Sequence, residues 1–149
     1  MKKVAIIIIA FMITQSSKGQ IIITDTTQYL RDSIEARKNY FSSVYFGYLL
    51  TDLKINIKYY SIGAPLPSEP EVMTIDRIVL FFNSLENLVK KDLQNQKTPH
   101  IELKFMYPFS IPKSYLEKGG LLDWTTEWNS VKANFFWNKV IYGVNVRGL

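Results

Sequence analysis

Three segments of the chain alternate apolar and polar residues, which is the pattern of a strand with one buried face. They cover residues 54–62, 100–107 and 139–147. The alternation places Tyr107 and Tyr142 on the buried sides of their strands. A fourth segment, residues 75–83, is apolar without a break from Ile78 to Phe82, which is typical of a strand covered on both sides. The sequence therefore predicts four strands, with the unbroken one at the centre of the sheet.

Helical spacing appears between these strands. The apolar positions after Asn83 recur at intervals of three and four residues, and Asn83 with Glu86 forms a capping box. Asp25 is expected to cap an earlier helix. Residues 42–53 predict a further helix, although their glycine and aromatic residues also suit a strand. Residues 110–118 predict a short helix that ends at two glycines.

The order of these elements predicts the fold class. Helices and strands are mixed along the chain, and three strands have a polar face that is expected to meet solvent. We therefore predict a single small α+β domain with a four-stranded, mixed or mostly antiparallel sheet and helices packed on one face. The helical crossover from Ile75 to Tyr107 favours one parallel pair of strands.

The segment from residue 121 to residue 140 contains all three tryptophans of the chain. On a helix, four of its apolar residues share one stripe, which predicts core packing. They are Trp124, Trp128, Val131 and Phe135. Phe136 and Trp137 fall beside that stripe, and Trp137 lies just before the last predicted strand. We interpret Trp137 as the candidate aromatic contact for a ligand, followed by Tyr59 and Tyr60.

The N-terminus has the pattern of a signal peptide. Two lysines precede ten apolar residues, Val4–Ile13, a run shorter than the roughly 20 residues that span a bilayer. We expect cleavage between Gly19 and Gln20, with a cut after Ser16 as the alternative and an uncleaved anchor or buried strand as the other reading. Residues 1–19 are then the signal and residues 20–149 the domain, with no membrane span after cleavage.

The expected localisation of the protein follows from the same segment and from the composition. A signal that ends just before glutamine resembles export signals of one group of Gram-negative bacteria. The chain has no cysteine, so it lacks both disulfides and the residue that a lipoprotein needs at its cleavage site. We expect a periplasmic or secreted protein that is not a lipoprotein.

Composition also narrows the function. Three of the 18 basic residues lie in the predicted signal, which leaves 15 against 13 acidic residues and a net charge of +2. Without a basic stripe, nucleic acid is not an expected partner. One histidine and no cysteine make a zinc or copper site improbable, and no glycine pattern of a nucleotide-binding loop is present. We expect no metal and no cofactor.

Acidic residues provide the candidates for catalysis. Asp123 and Glu127 are four residues apart and interleaved with Trp124 and Trp128. Paired carboxylates beside aromatic rings are typical of sugar-cleaving sites. Asp123 equally suits the N-cap of a helix. Glu69, with Glu71, lies in the proline-rich loop of residues 63–73, which is either a stiff recognition loop or a solvated connection.

The polar face of the predicted sheet provides the candidates for binding. Its side chains suit an anionic partner or a glycan, or they simply face water. The candidates are Lys58, His100, Glu102, Lys104 and Arg147, and Lys54, Asn56 and Asn145 are expected beside them. Because no catalytic set is recognisable, we expect an exported, non-catalytic binding or interaction protein whose partner is a protein, a peptide or a glycan. The alternative is a small envelope enzyme, such as a glycan hydrolase that uses the acidic residues.

Overall fold

The computed structural model describes residues 25–63, 72–112, 114 and 126–149. Within these residues five strands form one sheet in the order β4-β1-β2-β3-β5, and every neighbouring pair is antiparallel. The strands are β1 (Tyr59–Gly63), β2 (Val72–Phe81), β3 (His100–Pro112), β4 (Thr126–Glu127) and β5 (Ile141–Arg147). The predicted signal peptide and residues 64–71, which include Glu69, lie outside the described residues. The ends of the predicted loop belong to strands, since Gly63 ends β1, and Val72 and Met73 begin β2.

Four α-helices lie in the described ranges. They are α1 (Thr26–Tyr29), α2 (Phe46–Asp52), α3 (Leu85–Leu93) and α4 (Ser130–Phe136). The first continues into a π-helical turn, Leu30–Ile34, and a 3₁₀ turn, Glu35–Arg37. Asp25 caps α1 as predicted, because its side chain accepts a hydrogen bond of 3.1 Å from the amide of Gln28.

The predicted α+β class is confirmed, and so is the central position of β2. The predicted parallel pair is wrong, because β2 and β3 are antiparallel. The helix α3 between them does not cross the sheet, since it lines a hollow with Phe81 and His100, the last residue of β2 and the first of β3. The chain therefore turns back beside the strand it has just left, as in a wide hairpin.

Several element boundaries differ from the predicted ones. β1 begins at Tyr59, so residues 54–58 precede the strand. β3 continues to Pro112, so the first three residues of the predicted helix at 110–118 belong to a strand. The N-cap of α3 is Ser84 and not Asn83. Caps and strand ends depend on one or two residues of backbone geometry that the pattern of apolar residues does not specify.

Two irregularities in pairing reverse which side chains face the core. Arg77 of β2 pairs with Lys104 of β3, and Ile75 pairs with Phe109. Two residues of β2 are therefore matched by five residues of β3. A second shift lies between β3 and β5. Such bulges leave residues unpaired and turn them outward. Tyr107 and Tyr142 are consequently 71% and 65% exposed, contrary to the predicted alternation.

The core lies between one face of the sheet and the helical layer of α1, α2 and α4. Sheet residues at its centre include Tyr60, Leu80, Ile101 and Leu103, all fully buried. The helical layer contributes the fully buried residues Leu30, Ile34, Phe46, Leu49 and Phe136. This cluster is the continuous apolar surface that holds a domain without disulfides together.

The tryptophan-rich segment is built differently from the predicted helix. α4 begins at Ser130 with Asn129 as its N-cap, so Trp128 and Glu127 precede it and Asp123 does not cap it. Trp128 and Phe135 pack against the core as expected, but Val131 is 74% exposed and Phe136 is fully buried. The later start places α4 in another orientation, in which Phe136 points inward. Trp124 and Asp123 lie outside the described residues.

Candidate functional site

Trp137 follows the last turn of α4 and packs across α2. The amide of Gly47 in α2 donates a hydrogen bond of 3.0 Å to the carbonyl oxygen of Trp137. The indole lies against the same glycine, where a β-carbon would overlap its ring atoms. Trp137 nevertheless remains 40% exposed. A glycine at this point allows a large ring to lie on a helix backbone and still present surface to solvent.

A cleft of about 550 Å³ opens beside this indole. Trp128 and Trp137 supply its aromatic surface, and Asn56, Lys58 and Glu127 supply polar side chains at its border. Its wall also includes the apolar residues Leu50, Leu53, Ile55 and Ile57. Clefts of this size and composition are typical of small-ligand sites. The cleft thus brings together three residues that the sequence indicated separately: Lys58, Glu127 and Trp137.

A second hollow, of about 320 Å³, shares Trp137 with the first. Tyr45 and Tyr48 line it with their rings stacked 6.5 Å apart, and Thr51 and Asn138 add a hydroxyl and an amide. Tyr45 is 51% exposed and Tyr48 is 66% exposed. Exposed aromatic residues in one patch indicate a binding surface, since a lone exposed ring is ordinary but a group of them is not.

Contacts beneath the cleft hold its border in place. Trp128 donates its amide to the carbonyl oxygen of Lys58 at 2.9 Å, and its ring meets the buried ring of Tyr60 edge-on at 5.5 Å. Lys132 donates from Nζ to the carbonyl oxygen of Glu127 at 2.5 Å. Burial lowers the pKa of Lys132, against an opposing effect of the Glu127 carboxylate. Glu127 and Trp128 are therefore positioned by the core, and not by a free loop.

The remaining predicted binding residues lie together on the opposite face of the sheet. Strand register places His100 beside Arg147, and Glu102 beside Asn145 on the same face. Glu102 lies between two guanidinium groups, 3.4 Å from Arg77 Nη1 and 3.8 Å from Arg147 Nε. Partly exposed ion pairs of this kind contribute little. Glu102 offsets part of the positive charge of Arg77 and Arg147, so this face is a weaker anion site than its basic residues alone would make it.

Lys58 does not belong to that face, because it precedes β1 and lines the cleft beside Trp137. The predicted set of binding residues is thus divided between two sides of the sheet. Among the candidates for catalysis, Glu127 borders the cleft, whereas Asp123 and Glu69 lie outside the described residues. His100 shares a hydrogen bond of 2.8 Å between Nδ1 and the carbonyl oxygen of Thr98. Since a carbonyl only accepts, this bond places the proton on Nδ1.

In the described ranges, no three residues among histidine, cysteine and the acids come together as a metal site would require. No helix within residues 25–63, 72–112 and 126–149 has the length and apolarity needed to cross a bilayer.

Comparison of the chain with models of protein families, with curated proteins and with solved structures gives no match. The geometry of the cleft and the chemistry of its side chains are therefore the basis for a functional assignment.

The sequence indicates Trp137 as a candidate but does not indicate the residues that surround it in the structure. Gly47, Tyr45 and Tyr48 lie some 90 positions earlier in the chain, in a segment whose secondary structure was ambiguous. The density of aromatic residues in residues 42–53 was a usable signal, because rings that a short helix cannot all bury must remain partly exposed.

Proposed function

We propose that this chain is an exported, non-catalytic binding module that holds a glycan in the cleft around Trp137. The observation that carries the proposal is the exposed indole held on Gly47 between two hollows. The export part rests on the N-terminal pattern of a basic start, an apolar run and small residues before Gln20.

The chemistry of sugars fits the side chains of the two hollows. A pyranose ring has faces of C–H groups that stack on aromatic rings, and hydroxyl groups at its edge that need hydrogen-bond partners. Trp137, Tyr45 and Tyr48 offer the rings. Asn56, Lys58, Thr51 and Asn138 offer donors and acceptors around them. Ring and polar groups at one place favour a glycan over a purely apolar ligand.

The carboxylates favour binding over hydrolysis. Glycoside hydrolysis usually needs two carboxyl groups that flank the scissile bond, about 5 to 9.5 Å apart. Among the described residues that line the cleft, Glu127 is the one carboxylate. A single carboxylate at the border suits hydrogen bonding to sugar hydroxyls.

The proposal is tested by titrating the purified chain with chitohexaose, cellohexaose and glycans released from the producing cells, using calorimetry. We expect one of them to bind, and Trp137→Ala to raise the dissociation constant about 30-fold, since a central tryptophan contributes ~2 kcal/mol or more to such contacts. Lys58→Glu should also weaken binding, whereas Lys104→Glu on the far face of the sheet should not.

Two results would contradict this function. If none of the glycans binds, or if Trp137→Ala binds as tightly as the unchanged chain, the cleft is not the site. If mass spectrometry shows the oligosaccharides shortened, and the double change Asp123→Asn with Glu127→Gln abolishes that cleavage, the chain is a glycan hydrolase. Export is tested separately by the N-terminus of the protein recovered outside the cytoplasm, which should begin at Gln20.

A further inference from the structure

Helix α3 lacks the packing that normally stabilises a helix of its length. It has nine residues, Leu85–Leu93, and none of them is buried. Isolated helices shorter than about 12 to 15 residues are marginal in water, because nucleation costs more than a few hydrogen bonds return. Ser84 caps its first turn through a hydrogen bond from the amide of Asn87, but a cap adds only about 1 kcal/mol.

One side of α3 carries an exposed apolar stripe. Leu85, Val89 and Leu93 follow one another at four-residue spacing, and they are 40%, 52% and 81% exposed. Leu85 and Val89 also border, beside Leu88, the groove that α3 forms with Phe81 and His100. On the other side of the stripe they line another hollow with Leu93. A continuous stripe of exposed aliphatic residues on an otherwise unsupported helix is typical of a protein–protein contact.

The charges along the stripe indicate what covers it. Glu86 and Lys90 lie on the same flank, and neither takes part in an ion pair among the described residues. Glu86 and Asp92 balance Lys90 and Lys91, so the helix carries no net charge. A strongly acidic or basic partner would find no complement here, whereas a helix with the same arrangement would.

We propose that α3 pairs with α3 of a second copy of this chain, antiparallel and about a two-fold axis near Val89. In that arrangement Leu85 of each copy meets Leu93 of the other, and Val89 meets Val89. Glu86 of each copy then lies on the same flank as Lys90 of the other. The two residues are offset along the helix axis by about 3 Å, which is two residues at a rise of 1.5 Å per residue. A two-fold interface requires this self-complementarity, because every contact occurs twice with the partners exchanged.

The pairing is tested first by sedimentation of the full chain over a range of concentrations. We expect a monomer–dimer equilibrium for the unchanged protein. Val89→Glu places two carboxylates at the axis and should yield monomer at every concentration. The matched control is Val131→Glu, which adds the same charge at a residue on α4 that is 74% exposed, and it should still dimerise. Circular dichroism checks that both variants keep the fold.

Exchange of charges tests the two-fold arrangement itself. Glu86→Lys alone and Lys90→Glu alone should each raise the dimer dissociation constant about tenfold, because two attractive pairs become repulsive. The double variant should regain dimerisation, and an equimolar mixture of the two single variants should form a mixed dimer. A chain that remains monomeric at the highest concentration reached, or single variants that dimerise like the unchanged protein, would overturn the proposal.

Discussion

The amide of Gly47 and the carbonyl oxygen of Trp137 are joined by a hydrogen bond of 3.0 Å, and the Trp137 indole covers the glycine. This contact connects α2 to the end of α4 across some 90 residues of sequence. It also sets the orientation of the ring that borders both hollows. The consequences of changing either residue therefore extend to stability and to ligand binding.

We predict that Gly47→Ala lowers the free energy of unfolding by about 1 to 3 kcal/mol, because the added methyl group overlaps the indole. The sign is informative, since alanine at a helical position would otherwise raise stability by about 1 kcal/mol over glycine. Urea unfolding measures the change. The same variant should bind the glycan less tightly.

Gly143→Ala is the control for that substitution. A β-carbon at position 143 would have no heavy atom within 4 Å, so we expect a change within about 0.5 kcal/mol. A Gly47→Ala protein more stable than the unchanged one would show that the indole does not rest on α2.

Phe136 is predicted to carry more of the stability than its neighbours on α4. It is fully buried, with its ring stacked on Phe105 at 5.9 Å and meeting Phe46 edge-on at 6.0 Å. Phe136→Ala should lower the free energy of unfolding by about 3 to 5 kcal/mol. Val131→Ala on the same helix should change it by less than about 0.5 kcal/mol. Equal effects of the two substitutions would contradict the orientation of α4.

Glu35 is predicted to make stability depend on pH in the acid range. Its Oε2 accepts a hydrogen bond of 3.2 Å from the amide of Val146 on the edge strand β5. A side-chain hydrogen bond from Lys38 and this backbone bond lower the pKa of Glu35, in spite of partial burial. Because the pKa is lower in the folded state, the stabilisation is complete above the ordinary pKa and is lost as the pH falls through the folded value.

Glu35→Gln isolates this effect, because the amide oxygen can still accept from Val146 while the charge is removed. We expect the variant to unfold more easily than the unchanged protein near neutral pH, and the difference to shrink as the pH falls below the ordinary pKa of glutamic acid. Unfolding in urea at several pH values measures it. Parallel pH profiles for the two proteins would show that the carboxylate of Glu35 contributes nothing through its charge.

Lys132 is predicted to make stability depend on pH in the alkaline range, because its charged form destabilises the folded chain, whereas that of Glu35 stabilises it. It is 9% exposed and its pKa is lowered by burial, so the protonated form costs stability in the folded state. In the unchanged protein this cost is relieved as the pH rises through the folded pKa. Lys132→Met removes the titrating group, so its stability relative to the unchanged protein should fall as the pH rises over the alkaline range below the ordinary pKa of lysine. A constant difference in unfolding free energy over that range would show that folding does not lower the pKa of Lys132.

Local patterns in the sequence determined the elements of this fold. Alternation predicted the strands that contain β1, β3 and β5, and the unbroken apolar run predicted β2 and its central position. The cap at Asp25 was predictable because it involves residues three positions apart. Trp137 was predictable as a partly exposed ring because it follows a helix and precedes a strand.

The tertiary structure alone decided how these elements face one another. Bulges beside Lys104 turned Tyr107 and Tyr142 outward, since strand register depends on the neighbouring strand and not on the strand's own pattern. The cleft arose because Gly47 receives the indole of Trp137, a contact between residues about 90 positions apart. Alternation and capping act over a few residues and are therefore visible in the sequence, whereas such a contact forms only when the whole core packs.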